Sequence, residues 1–280
     1  MMTNSKLVAK IEAEEPVQRL AVLIDADNAQ ATIIEGLLAE IARFGEATVK
    51  RIYGDFTSPT SAQWKKVLNK FAIKPVQQFA YTTGKNVTDS TLIIDAMDLL
   101  YTRRFQGFCL VSSDSDFTGL AVRIREEGLA VYGFGEQKTP EAFRNACNKF
   151  VFTEVLRNVA ESVGSSGTES SRSNNTTQVT GMAEPSRPES VVGDAFPSAF
   201  FRDALERASD ESGWVSLAEF GNHVNKLRPD FDARNYGYKK LSDLVKDHTE
   251  LFVVDERKTG SNDARVLYIR LAESKKKKSK

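Results

Sequence analysis

An α/β fold on a parallel sheet, followed by a small helical module, is what three features of this 280-residue chain predict. Strand-like and helical runs alternate from residue 20 to about 156. A Ser/Thr/Asn/Gly/Pro-rich stretch comes next. Three helical patterns then precede two strand-like pieces.

In the first region the strand-like runs are "RLAVLID", "TVKRIYGD", "KPVQQFA", "GFCLVSS" and "LAVYGF", with "KFVFTEVL" as a sixth, edge candidate. Between them "ATIIEGLLAEIARF", "SAQWKKVLNKF", "DSTLIIDAMDLLYTRRF" and "FTGLAVRIREEG" carry helical periodicity. Such alternation requires right-handed crossovers and places helices on both faces of a Rossmann-like parallel sheet. Residues 18–156 form this domain, after an extension over 1–17. The stretch 157–196 has almost nothing to bury and reads as a disordered linker. Over 197–272, "FPSAFFRDALERAS", "SLAEFGNHVNKL", "GYKKLSDLVKDH", "LFVVDER" and "ARVLYIRL" give three helices and a hairpin, the pattern of a winged helix. Trp214, Leu217, Phe220, Val224, Leu227, Leu241 and Leu244 are spaced as its core. Residues 273–280 are a basic tail.

The charge sums to zero, with 38 basic and 38 acidic side chains, so the protein is not broadly basic. Nucleic-acid binding would rest on local patches and on the tail, where five of the last six residues are lysine. Two cysteines and two histidines exclude a disulfide framework and a zinc site of their own. No run has membrane-spanning length and the start has no signal-peptide core, which fits a reducing, cytoplasmic setting with no membrane partner.

Ligands of open α/β sheets bind beyond the carboxyl ends of the strands, where strand order reverses. In the order 3-2-1-4-5 that crevice lies between strands 1 and 4. Strand 1 ends in Asp25-Ala26-Asp27-Asn28 and strand 4 in Asp114-Ser115-Asp116. Asp89 starts the helical row Asp89, Ile93, Ala96, Met97, Leu100 and so approaches the same edge. Asp95 lies at the margin of that row, Asp98 on the opposite side, and Asp55 after strand 2. Each aspartate alone suits a cap or turn. Together they would repel one another unless a cation were present, and an oxygen-only donor set suits Mg2+ or Mn2+.

The motifs "LIDADN", "YGDF", "GKNVTDSTLIIDAMDLL" and "VSSDSDF" resemble the NYN domain in its LabA-like branch, a PIN-like nuclease fold. The resemblance implies RNA cleavage with Mg2+ or Mn2+ on clustered aspartates. It carries Asp25, Asp89, Asp114 and Asp116 over as metal ligands, and Asn28 as the residue orienting water or phosphate. One or two ions would bridge these carboxylates and the scissile phosphate for in-line attack by water. Asp95 matches the acidic residue of "IDAMDL" without an assigned role. Lys85, in a glycine-containing loop before Asp89, is placed to meet RNA. Lys65, Lys66, Arg103 and Arg104 could follow a phosphate backbone, and Ser112 and Ser113 could donate to phosphate.

"GWVSLAEFG" and "RPDFDARNYGYKKLSDL" resemble the OST-HTH, or LOTUS, domain. That resemblance implies RNA binding or docking of a protein partner, with Arg234, Asn235, Tyr236, Lys239 and Lys240 as exposed contacts. The combined expectation is a metal-dependent ribonuclease tethered to an RNA-binding winged helix, on a linker that leaves the geometry between domains unfixed. Whether the chain forms a homo-oligomer stays open. A catalytically silent adaptor is the alternative, against which the retained aspartates argue. The "DADNA" spacing also resembles haloacid-dehalogenase-like phosphatases, but Ala29 stands where their hydroxyl would be.

Overall fold

The computed structural model describes residues 17–57, 62–79, 87–157, 196–259 and 264–272. The strands β1 (Arg19–Asp25), β2 (Glu46–Gly54), β3 (Lys74–Gln77), β4 (Gly107–Val111), β5 (Ala130–Gly135) and β6 (Lys149–Phe152) form one sheet of order β3-β2-β1-β4-β5-β6. Every pairing in it is parallel. The reversal between β1 and β4 is where the sequence places it, and the edge strand over "KFVF" is formed.

Alternation along β1 explains the two-sided core. Leu20, Val22 and Ile24 face α1 (Ile34–Ile41) and α2 (Ala62–Phe71) in one apolar cluster. Ala21 and Leu23 face α3 (Val87–Tyr101) and α4 (Thr118–Glu126) in the other. All five are fully buried, each larger aliphatic side chain of this kind contributing about 1.5–3 kcal/mol. The period of two carries Asp25 onto the α3/α4 side. The register Asp25↔Tyr53 and the burial of Tyr53 in that same cluster agree.

Several elements differ from the sequence expectation. The first helix is shorter, entering through a 3-10 turn at Ala31–Ile33 and ending at Ile41. A six-residue helix, α5 (Glu141–Ala146), is too short to show a period. In α3 the buried row is Leu92, Ala96, Leu99 and Leu100, with Ile93 and Met97 only partly buried. The packed face is thus rotated by about one residue from the row that starts at Asp89, which turns Asp95 toward β2. Asp98 is exposed, as expected.

The C-terminal module comprises α6 (Ser198–Ala208), β7 (Val215–Ser216), α7 (Leu217–Leu227), α8 (Leu241–Asp247), β8 (Phe252–Thr259) and β9 (Ala264–Leu271). Its strands form an antiparallel sheet of order β7-β9-β8. Phe201, Phe220, Val224, Leu244, Phe252 and Ile269 make the core. Two core assignments are corrected. Leu227, at the end of α7, is 46% exposed. Trp214 is half-buried, with the guanidinium groups of Arg257 and Arg270 4.7 and 5.0 Å from its ring. The third helix starts later than its periodicity suggests, because a 3-10 turn at Ala233–Tyr236 ends on Gly237 at φ 84°.

The two modules touch, contrary to the expected free geometry between them. The edge strand β6 donates Phe150 N–H to the carbonyl of Pro229 at 2.9 Å. Lys149 Nζ donates to Asn225 Oδ1 and to the Phe231 carbonyl. Arg144 pairs with Asp230, and Arg234 pairs with Glu40 on α1. Nearly all of the N-terminal extension and of the linker, and the lysine tail, lie outside the described residues.

Candidate functional site

At the carboxyl edge of β1 the chain turns sharply, and Asp25 supplies the turn's acceptors. Its Oδ1 accepts from Asp27 N–H at 3.0 Å, and its Oδ2 accepts from Asn28 Nδ2 and Ser112 Oγ, each at 2.8 Å. The carboxylate is fully buried. Burial raises its pKa from the ordinary value, and the bonds from Asn28 and Ser112 partly oppose this. Asn28 and Ser112 therefore hold the anion in one orientation across the β1–β4 crevice. The sequence casts Ser112 as a phosphate donor, but here its hydroxyl proton goes to Asp25. The same Oγ accepts from Asp114 N–H at 3.1 Å.

Beyond β4, Asp114 caps a 3-10 turn over Ser115–Phe117 by accepting from Asp116 N–H at 3.0 Å. Asp89 sits in the first turn of α3. Carboxylate oxygens of Asp89, Asp114 and Asp116 lie within 4.8 Å of one another. Burial, then the charges of Asp25, Asp114, Asp116 and Asp27, push the Asp89 carboxyl up to about 6. Three stretches far apart in sequence thus meet at one edge.

The donor set fits a hard divalent cation: oxygen-only, clustered, and partly desolvated. Its mutual repulsion is an expense in an isolated fold and an asset around an ion.

The remaining sequence candidates fall elsewhere. Asp27 is exposed in the turn after β1. Asp55 accepts from Thr57 and from Gln77 Nε2, bracing the β2 turn. Asp95 bonds Arg51 and Tyr53 on β2, and burial followed by that carboxylate raises the Tyr53 pKa. Val49, Arg51 and Tyr53 share a strand face, the signal that α3 would present an acid to β2. Lys65 and Lys66 are exposed on α2. Arg103 and Arg104 precede β4, at the sheet end opposite the carboxylates. Ser113 accepts from Glu136 N–H. Lys85 lies outside the described residues.

In the C-terminal module the expected RNA contacts divide. Lys239 and Lys240 are exposed. Tyr236 packs edge-on against Phe196, and Asn235 is buried. Arg234 is engaged: Nη1 and Nη2 reach Glu40 at 2.9 Å each, while Nε and Nη2 reach Asp232. Sequence reasoning does not reveal Glu40 as its partner, because 194 residues separate them.

Both cysteines are buried and unpaired with each other, and burial pushes the Cys147 thiol up to about 12, so neither suits nucleophilic work. No described helix is long and apolar enough to cross a membrane.

No curated protein matches the chain. A solution structure of an uncharacterized protein from Nitrosomonas europaea is 45% identical, covering 36% of this chain and 93% of that one, with TM-score 0.29. A Chromobacterium violaceum solution structure is 33% identical, covering 29% and 85%, with TM-score 0.23. A Vibrio parahaemolyticus protein of unknown function is 18% identical, covering 50% and 95%, with TM-score 0.43. The model of the NYN domain family matches residues 19–156 and that of the OST-HTH/LOTUS domain family residues 195–263. The chain joins an NYN domain, of the PIN-like nuclease superfamily, to a C-terminal OST-HTH/LOTUS domain.

Proposed function

We propose that this protein is a ribonuclease that hydrolyses RNA phosphodiester bonds with Mg2+ or Mn2+, and that its LOTUS domain helps to hold the RNA. The observation that carries this reading is the meeting of Asp89, Asp114 and Asp116 within 4.8 Å beside the buried Asp25, at the crevice between β1 and β4. A sheet edge that needed only caps would not gather four mutually repelling carboxylates. Asp89, Asp114 and Asp116 would hold the ion, with Asp25 behind them.

When bound, the ion neutralises phosphate charge and lowers the pKa of a water on it. The chain's own residues prepare the site. Asn28 and Ser112 fix the Asp25 carboxylate, and Ser112 ties that carboxylate to the Asp114 turn. Below about pH 6 the Asp89 carboxyl holds a proton that it would have to release to serve as a ligand. Of the basic side chains that the sequence offers to the phosphate backbone, Lys65 is exposed on α2 and would be free to meet it.

The test is cleavage of end-labelled single-stranded and hairpin RNAs by purified protein in Mg2+, Mn2+ or EDTA, beside folded Asp25→Asn and Asp114→Asn variants. Metal-dependent cutting lost in both variants supports the nuclease. RNA binding with no cutting above that of the variants means a silent adaptor. The complete enclosure of Asp25 by protein donors is the feature that would then be read as structural.

A further inference from the structure

A cleft of about 560 Å3 opens where the two domains meet. The NYN domain contributes Arg43, Phe44, Asn148 and Lys149, and the LOTUS domain Asn225, Lys239 and Lys240. Glu40 and Asp232 also line it, but both are taken up by cations: Glu40 by Arg43 and Arg234, Asp232 by Arg234. With Arg234 included, five cationic side chains face two anionic ones.

Lys149 Nζ donates to neutral oxygens, Asn225 Oδ1 and the Phe231 carbonyl, rather than to a carboxylate, while burial lowers its pKa, so the exposed cations carry most of the cleft's charge. Arg43, Lys239 and Lys240 are exposed at the mouth, on opposite domains. Phe44 gives the cleft an aromatic wall. A groove of net positive charge with polar amides and an aromatic surface is chemistry suited to a single nucleic-acid strand.

Its position separates it from the carboxylate site. Asn148 and Lys149 stand at the start of β6, and Phe44 follows α1, so the cleft lies toward the amino ends of the strands. The aspartates lie at the carboxyl ends, about 20 Å away along a six-residue strand such as β5.

We infer that this interdomain cleft is a second RNA-binding site, composite in origin, which grips the phosphodiester backbone of single-stranded RNA at a distance from the cutting site. It deepens the ribonuclease reading by saying where uncut RNA is held, and it rests on that reading only for its purpose. An acidic protein segment is the other ligand such a cleft could take. RNA is favoured because the cations share the cleft with the amides of Asn148 and Asn225 and with the Phe44 ring.

The test measures binding without cutting. Full-length protein carrying Asp25→Asn, in EDTA, is titrated into a fluorescein-labelled 20-nucleotide single-stranded RNA and followed by anisotropy from 50 to 200 mM KCl. Arg43→Gln removes the exposed cation of the NYN wall without setting a carboxylate beside Glu40, and Lys239→Glu with Lys240→Glu changes only the LOTUS wall. All three positions are exposed, so folding should survive, which circular dichroism checks. Each set is expected to weaken binding about tenfold or more at 100 mM KCl, and to flatten the salt slope by about 0.7 for each phosphate no longer neutralised. Unchanged affinity in both sets overturns the proposal and leaves the cleft to an acidic protein. Loss only in the LOTUS set, or only in the NYN set, also overturns it, because RNA would then be held by one domain alone. Failure of the wild type to cleave RNA, with the anisotropy pattern intact, sinks the nuclease and spares the cleft.

Discussion

Asp89 shows how one carboxyl reports on its whole site. Burial and four neighbouring acids raise it from 3.8 to about 6, so between those values the folded chain keeps a proton that the unfolded chain has released. Linkage then makes metal-free stability fall as pH rises through this window and stay lowered above it. Asp89→Asn should raise the metal-free Tm at pH 7.5, the gain shrinking to nothing near pH 4. Thermal melts at both pH values check this, and equal melts at pH 7.5 would mean that the repulsion is not felt. Added Mn2+ should stabilise the wild type more than the variant, because the variant lacks a ligand. Ser112 acts one step behind: its hydroxyl donates to Asp25 and accepts from the Asp114 backbone. Ser112→Ala should weaken Mn2+ binding about 10- to 100-fold, the usual effect of losing a group that orients a ligand. Calorimetric titration reads it, and an unchanged affinity would return Ser112 to phosphate binding.

At the scale of elements, the sheet exposes its weakness at β6. A parallel sheet ending in an apolar edge invites pairing with another chain, and here Pro229 accepts one of that edge's N–H groups. Protein truncated after residue 157 should therefore self-associate with rising concentration, visible as earlier elution in size-exclusion chromatography where the full chain does not shift. A concentration-independent monomer would show that β6 needs no cover. Most of this domain is legible in the sequence because its strands are buried on both faces and read as unbroken apolar runs. The extent of β1 and the reversal at β4 can be read for that reason. The face of α3 cannot be placed to the residue: Ile93 and Leu92 are equally apolar, and only packing in the folded chain decides that Leu92 is the buried one. Trp214 departs from its expected core position because its ring meets guanidinium groups, which hydrophobic spacing does not register. The carboxylates are legible because topology brings distant strand ends together. Their protein donors are only partly so.

For the whole molecule, the decisive interaction is one that no local pattern reveals. Arg234 stands in "DARNYGYKK", where a basic and aromatic cluster suggests an outward-facing contact. Yet its guanidinium forks onto Glu40 while also bonding Asp232 from its own domain. Burial alone would lower its pKa, but the bonds from Asp232 and Glu40 outweigh that and raise it, so the cation persists at any working pH. The side chains of Arg234 and Glu40 are 21% and 8% exposed, which places the pair between a surface bridge and a buried one. Removing the arginine leaves two carboxylates facing each other, with Arg43 as the remaining partner of Glu40. Arg234→Ala should therefore cost about 2–3 kcal/mol of stability, less than a fully buried pair because water reaches the gap. Adding Glu40→Gln removes one orphaned charge, so the double variant should be more stable than the sum of the two single losses predicts. Denaturant titration of all four proteins measures that coupling. A coupling near zero would mean that the domains are held by Phe150, Lys149 and Arg144 alone. A coupling of about 1 kcal/mol or more makes Arg234 a fastener between domains, and leaves the LOTUS side of the RNA cleft to Lys239 and Lys240.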